Sequence, residues 1–249
     1  MRVASIQFSP TMGQKETNLR RLSLLVKEAA QGGAKLIVMP ELAATGYSYM
    51  NEAQARVDAE PISFDGLTMK VMRKLAESFQ VHLVWGMVAE DPGTGHLYNA
   101  QVLLSAEGNW VSYFKINKWG NDFLWAKNGS SNPPIMKLDV GNGETLKVGL
   151  LICRDVRDKK DDEWNSFYEP GDADIVCLSA NWGDGGFPAT AWMEFAENNK
   201  THLIVSNRYG KETANNFGEG GICVIQKDGF VHTEGLLWER DCVVVAEVD

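Results

Sequence analysis

The chain has little of what marks metal proteins, disulfide frameworks, membrane spans or nucleic-acid binders. Only four cysteines and four histidines occur in 249 residues. Cys153, Cys177, Cys223 and Cys242 show no CxxC pairing, and His82, His96, His202 and His232 show no HxH or HExxH spacing. Neither a disulfide framework nor a metal site is signalled. No stretch approaches the roughly 18 consecutive apolar residues that a membrane span requires. No Lys/Arg cluster offsets the net charge of -9, which repels phosphate backbones and anionic lipid surfaces. Nucleic acid and membranes are therefore not expected as partners. The glycine-rich segments 183–186 and 218–221 lack the full spacing and the Lys-Ser/Thr ending of a phosphate loop. Internal repeats and low-complexity segments are missing too. Met1-Arg2 runs straight into residues 3–8, without a separate hydrophobic region and small-residue cleavage site, so a cytoplasmic location is expected.

What is present is an ordinary globular composition, 44% hydrophobic and 23% charged, long enough to bury a large core in one domain over residues 1–249. Ala4, Ile6 and Phe8 alternate as in a strand. Leu19, Leu22, Leu25, Val26, Ala29 and Ala30 then recur at helical spacing up to the Gly32-Gly33 stop. An apolar strand over 35–39 follows, and strand-helix-strand order implies parallel pairing. Leu67, Val71, Leu75 and Phe79 mark a second helix before another apolar run at 81–88. Strands at 81–88, 97–105 and 110–115, separated by Asp91-Pro92-Gly93 and Glu107-Gly108-Asn109, read as antiparallel hairpins. A long loop rich in Trp, Asn and Gly occupies 117–134, and loops of that length in compact domains are more often functional than decorative. Two strands flank Gly141-Asn142-Gly143, the second ending at Cys153. Strand-helix-strand order returns over 174–206, and terminal strands are expected at 221–226 and 242–248. The charged run 158–163 reads as a solvated surface loop or helix start.

Three of these strands deliver one reactive side chain each at or near the C-terminal end: Glu41 after Leu36-Ile37-Val38-Met39-Pro40, Lys115 after Tyr113-Phe114, and Cys153 after Leu150-Leu151-Ile152. An α/β sheet gathers its chemistry at the carboxyl ends of its strands, so the three can converge although 74 and 38 residues separate them, as 115 minus 41 and 153 minus 115. Alone, each has an unremarkable reading: a buried thiol, a turn carboxylate, a surface lysine. The charged Arg154-Asp155-Val156-Arg157 that follows Cys153 predicts a partly exposed thiol of lowered pKa. Burial of Glu41 at a sheet edge would raise its pKa towards general-base duty.

Taken in order, Pro40-Glu41-Leu42 with Thr45-Gly46-Tyr47, Tyr113-Phe114-Lys115, Cys153-Arg154-Asp155-Val156-Arg157 and Asn181-Trp182 resemble the signature segments of the nitrilase superfamily of carbon-nitrogen hydrolases. The likeness runs from residues 3–8 through 33–38 to Ala196-Glu197-Asn198 and Ser206-Asn207-Arg208-Tyr209-Gly210. It implies an α/β four-layer αββα sandwich with two mixed sheets, no cofactor, and a homodimer or larger homo-oligomer. It also implies that Cys153 is the nucleophile, Glu41 the general base and Lys115 a cationic stabiliser, with Lys115 and the Arg154 backbone N–H facing the oxyanion. Asp122 falls where such proteins carry a second Glu, in the loop after the lysine. With Arg154, Asn181 and Trp182 it makes up the candidate substrate-binding set, and Trp119 and Trp125 join Trp182 around the pocket. The Phe-Pro-Glu that usually follows Cys-x-Asp-x-Arg is replaced by Asp158-Lys159-Lys160.

The activity implied is hydrolysis of a small carboxamide through a cysteine thioester, with release of ammonia. An N-carbamoyl hydrolase is the nearest alternative and a nitrilase a further one. A catalytically silent binding partner of the same fold and a Cys-His hydrolase are the rivals from other classes.

Overall fold

Strict alternation along short apolar strands sets the layers. A computed structural model describes residues 1–141, 143–157, 159–160, 163–164, 167–183, 186–233 and 239–249. In strand Arg2–Gln7, Ala4 and Ile6 point to one side; there, with Ile37, Met39, Leu83 and Trp85, they meet Leu19, Leu22 and Val26 of helix Lys15–Gln31 and Met69 and Met72 of helix Leu67–Phe79. Val3, Leu36, Val38 and Val84 lie on the opposite side and cluster with Leu150, Ile152, Cys177 and Ile204 of a second sheet. Trp192, Phe195 and Ala196 of helix Thr190–Asn199 join that second cluster from beyond the sheet. The result is the four-layer αββα sandwich.

Both sheets are mixed. In the first, Cys242–Glu247 pairs antiparallel with Arg2–Gln7, which runs parallel to Leu36–Val38 and through it to His82–Glu90; the antiparallel strands Leu97–Leu104 and Trp110–Phe114 complete the edge. In the second, Glu144–Ile152, Ile175–Ser179 and His202–Ser206 are parallel neighbours, flanked by antiparallel strands. The hairpins read in the sequence are there, within a residue or two of their expected ends.

Polar side chains stitch the two sheets face to face. Ser179 Oγ donates to the Met39 carbonyl at 2.7 Å, Ser206 Oγ to the Ile6 carbonyl at 2.5 Å, and Gln101 Nε2 to Ser179 Oγ at 2.8 Å. Each bond satisfies a group that is costly to bury unpaired, and each fixes the sliding register of one sheet on the other. Met39 lies two residues before Glu41, and Ser179 is the cross-strand partner of Ile152, one residue before Cys153. The stitch therefore holds two of the three reactive strand ends together.

Some elements differ from expectation. A helix at Glu52–Asp58 was not anticipated, because Ala55 is its only buried residue and no apolar stripe announces it. The 117–134 loop contains one helical turn, Asp122–Trp125. Within the charged run, Lys159–Lys160 and Glu163–Trp164 pair antiparallel; the expectation of a solvated surface segment otherwise lies outside the described residues, as do Asp184 and Gly185 of the 183–186 segment.

Candidate active site

Glu41 is delivered by a turn that only glycine on the neighbouring strand permits. The Gly86 N–H donates to the Pro40 carbonyl at 3.1 Å and the Ala43 N–H to the Gly86 carbonyl at 3.1 Å. A Cβ at position 86 would stand 2.4 Å from Leu42 N and 2.6 Å from Glu41 Cα. Leu42 then takes a φ of +51° and sends the chain back through Thr45 and Gly46, whose N–H groups both bond the Leu42 carbonyl. Beyond the turn, Glu212 Oε2 accepts the N–H groups of Tyr47 and Ser48 at 2.8 and 2.7 Å, and its other oxygen takes Arg208 Nη1 at 3.0 Å.

Lys115 follows the edge strand Trp110–Phe114. Its N–H donates to the Asn99 carbonyl and its carbonyl accepts from Gly129, both at 2.9 Å, so its backbone is pinned on both sides. Its side chain is 1% exposed, and Nζ lies 2.7 Å from Glu41 Oε1 and 2.7 Å from Asp122 Oδ2. Asn99 bridges the same two carboxylates, donating to Glu41 Oε1 at 2.7 Å and to Asp122 Oδ1 at 3.1 Å. Asp122 also accepts the Trp119 N–H at 3.1 Å, and Tyr47 OH bonds the Trp119 carbonyl. Two of the three ammonium donors are thus engaged by carboxylates, and Glu41 Oε2, though buried, has no hydrogen-bond partner among the described residues.

Cys153 departs from the exposed, acidified thiol expected of it. The strand stops at Ile152, and Cys153 opens a 3-10 turn, Cys153–Arg157, at a φ of +46°. That is a strained conformation for a non-glycine residue, of the kind found where a side chain must be aimed rather than packed. The thiol is 5% exposed, and burial, reinforced by the charge of Glu41, pushes its pKa up; Lys115 and the Asn181 backbone N–H oppose this only in part. Of the charged residues after Cys153, Arg154 and Arg157 line the same pocket as the sulfur. Asp155 turns inward, its carboxylate accepting from Tyr113 OH at 2.9 Å and from the Asn117 N–H at 2.8 Å, which ties the cysteine turn to the strand bearing Lys115. Burial raises the Asp155 pKa to about 7.

The same burial raises the pKa of Glu41, with Asp122 adding to it and Lys115 opposing. For Lys115 burial works against the charge, but Asp122 and then Glu41 outweigh it and hold the pKa well above its usual value. Two carboxylates share one ammonium, so the cluster has one negative charge to spare and takes up a proton readily. Glu41, with an unbonded oxygen, is the group placed to receive it.

Cys153 opens onto a pocket of about 290 Å³, part of it continuous with solvent, lined also by Trp119, Arg154, Arg157, Asn181 and Trp182. Both side-chain atoms of Asn181 that can hydrogen-bond are buried without partners among the described residues. Of the sequence candidates, Glu41, Lys115 and Asp122 form one hydrogen-bonded cluster, while Arg154, Asn181 and Trp182 share the pocket with Cys153. Trp125 does not reach it: its ring turns into a separate apolar cluster, edge-on to Tyr49 at 5.7 Å. None of the four histidines lines this pocket. Asn99 and Gly86 were not anticipated. The available signal for Asn99 was a polar residue, like Gln101, inside a largely apolar strand; for Gly86, a glycine at mid-strand.

No group of three or more potential metal ligands occurs among the described residues, and no helix there is long and apolar enough to cross a membrane.

A family model described as carbon-nitrogen hydrolase matches residues 2–214. A nitrilase from Pyrococcus abyssi is 27% identical over 218 residues, covering 85% of this chain and 76% of its own. An omega-amidase from Danio rerio is 30% identical over 149 residues, 57% of this chain and 51% of the relative, so that match spans about half of the longer protein. A protein N-terminal amidase from Schizosaccharomyces pombe is 23% identical with 91% of each chain covered. Among solved structures, a nitrilase-superfamily amidase from Nesterenkonia AN1 superposes with a TM-score of 0.78 at 20% identity, covering 100% of this chain and 92% of its own. Variants of that amidase have been solved with butyramide bound and with the acetamide moiety of fluoroacetamide added covalently to the active-site cysteine.

Proposed function

The chain belongs to the carbon-nitrogen hydrolase family, and from that premise we propose that it hydrolyses a small carboxamide through a thioester on Cys153, releasing ammonia. The observation that carries this reading is the buried Glu41 with one oxygen held by Lys115 and the other unbonded, beside a neutral thiol that opens onto a pocket. The cysteine adduct and the butyramide complex of the Nesterenkonia amidase support the nucleophile and the substrate size.

The thiol is too weak an acid to stand ionised, so its proton leaves as the sulfur attacks. Glu41 Oε2 takes that proton while Cys153 Sγ bonds the amide carbon. The carbonyl oxygen gains the electron pair and faces the third ammonium donor of Lys115, a stabilisation worth roughly 3 kcal/mol in a dry site. Collapse of the tetrahedral intermediate breaks the C–N bond, and Glu41 returns its proton to the nitrogen, which departs as ammonia. Water then enters, loses a proton to Glu41 and attacks the thioester; the acid leaves and the thiol is restored. Asp122 and Asn99 keep Lys115 and Glu41 in register throughout. Asn181 supplies an unbonded amide to orient the substrate carboxamide.

Ammonia release from butyramide and acrylamide by the wild-type chain and by Cys153→Ala tests this reading. Turnover by wild type and none by Cys153→Ala is expected. Full activity in Cys153→Ala would overturn it, and the absence of turnover and of any covalent adduct across a broad amide panel would favour a silent binding partner.

A further inference from the structure

We propose that Arg208 is a positioning residue for the general base: through Glu212 it fixes the turn that carries Glu41, and its buried charge favours the ionised carboxylate that takes the thiol proton. The inference rests on the base role given to Glu41 above. Arg208 takes no part in the hydrolysis as written, yet it lies two residues past strand His202–Ser206, beside the strand that leads to Asn181 and Trp182. The residue between, Asn207, accepts the Trp182 N–H at 2.8 Å and donates to the Trp182 carbonyl at 3.1 Å, which locks this strand end to the pocket wall. Arg208 ties the same strand end to the Glu41 turn. Its Nη1 donates to Glu212 Oε1 at 3.0 Å, while Glu212 Oε2 accepts the Tyr47 and Ser48 N–H groups and the Glu212 carbonyl accepts from Ser48 Oγ at 3.0 Å.

A bridge that served structure alone would pair the guanidinium with both carboxylate oxygens. Glu212 instead gives Arg208 one oxygen and the backbone of the turn the other, so its charge is shared and does not cancel that of Arg208 alone. Arg208 Nε and Nη2 are buried with no hydrogen-bond partner among the described residues. The guanidinium carbon stands 4.2 Å from the Phe217 ring centre, and Phe217 is edge-on to Tyr47 at 5.7 Å, so the cation is held by packing as well. In a low-dielectric interior such a charge acts on its neighbours. Burial lowers the Arg208 pKa, opposed by Glu212 first and then by Glu41, which puts Arg208 and Glu41 within electrostatic reach of each other. A guanidinium remains charged at working pH. The groups that face Glu41 are thus Lys115, Asp122, Cys153, Tyr47 and Arg208 with its partner Glu212; burial keeps Cys153 and Tyr47 neutral. Arg208 offsets the Asp122 charge that raises the proton affinity of Glu41.

The test follows the pH dependence of kcat/KM for butyramide in wild type, Arg208→Met, Arg208→Lys and Glu212→Gln. In Arg208→Met the acid limb moves up the pH scale by about one unit, the low end of what one nearby opposite charge brings about, and kcat falls by more than KM rises. Arg208→Lys keeps the charge without the planar fork, so its limb stays near that of wild type although kcat falls. Glu212→Gln removes a negative charge while loosening the same turn, and its limb moves down. Loss of packing alone would lower turnover in all three variants and leave the limb in place. A limb that stays put in either Arg208→Met or Glu212→Gln, or that moves as far in Arg208→Lys as in Arg208→Met, overturns the inference. If Arg208→Met does not fold, a downward limb in Glu212→Gln with an unmoved one in Arg208→Lys supports it, and any other pair of results overturns it. Alkylation of Cys153 by iodoacetamide, followed by intact mass and peptide mapping, repeats the comparison without hydrolysis, because it too needs the thiol proton removed. The expected order of limbs in alkylation, with no amide turned over by wild type, would sink the hydrolase reading and keep this inference. Turnover without that order would do the reverse.

Discussion

Lys115 Nζ lies 2.7 Å from Glu41 Oε1, and the second oxygen of the same carboxylate is buried with no hydrogen-bond partner among the described residues. One oxygen anchors the carboxylate and the other is left to move protons. Glu41→Gln keeps the shape and the Lys115 contact but removes that basicity. Steady-state turnover of butyramide should fall by about 10² to 10⁴ with the melting temperature lowered little. A fall below tenfold would assign the base elsewhere.

Among the described residues, Lys115 is the only cation matched to Glu41 and Asp122, both fully buried. Replacing it with Met leaves two carboxylates without their counter-charge, a loss of about 3 to 5 kcal/mol by analogy with broken buried ion pairs. Urea denaturation should show it. The additional substitution Asp122→Asn should recover part of the stability, because it removes one orphaned charge, but none of the activity.

Asp122 raises the proton affinity of Glu41 through its charge. Asp122→Asn removes that charge, so Glu41 ionises at lower pH and the acid limb of the kcat/KM profile moves down the pH scale. An acid limb that stays or moves up would show that another group controls it. Turnover at the optimum should also fall, since Lys115 loses one of its two anchors.

Gly86 has backbone of the Glu41 turn where a side chain would be, with Leu42 N 2.4 Å from an added Cβ. Gly86→Ala should cost about 1 to 3 kcal/mol, which thermal unfolding reads as a drop of about 2 to 4 °C for each kcal/mol. Turnover should suffer more than stability, because the strain falls on the residue that carries the base. Wild-type turnover in this variant would argue against a fixed Glu41 turn.

Asp155 has its folded-state pKa raised by burial to about 7, above the ordinary 3.8. A carboxylate raised in this way disfavours the folded state once it ionises, so its contribution worsens as pH rises from about 4 to 7 and is relieved as pH falls back. Relative to Asp155→Asn, wild type should therefore gain stability on acidification through that window, by up to about 4 kcal/mol. Chemical denaturation of both proteins at pH 4, 5.5 and 7 measures the difference; a gap that widens in favour of the variant at low pH would contradict it.

Much of this was legible from local pattern. The apolar run into Pro40-Glu41 was readable because a strand buried on both faces leaves no polar position until it ends. The strand His202–Ser206 likewise ends where the sequence reading closed its strand-helix-strand segment. Glu41, Lys115 and Cys153 could be picked out as strand-end residues, and Asp122 by its place after Lys115. The state of Cys153 could not, because the charged residues after it suggested exposure and only the inward turn of Asp155 shows why the thiol stays buried. Asn99 was illegible for a related reason. Its role depends on two carboxylates, 58 and 23 residues away, meeting one side chain. Trp125 was misplaced with Trp119 and Trp182, since one helical turn decides which indole faces the pocket and which the core.

The central claim is that Cys153 forms a thioester whose making and breaking pass through Glu41. Acid-quenched intact-mass analysis after brief mixing with a small amide, followed by peptide mapping, tests it most directly. The account predicts an added acyl mass on the peptide containing Cys153 in wild type and its absence in Cys153→Ala and Glu41→Gln. An acyl mass mapped to Cys177, Cys223 or Cys242, or formed equally fast in Glu41→Gln, would contradict it.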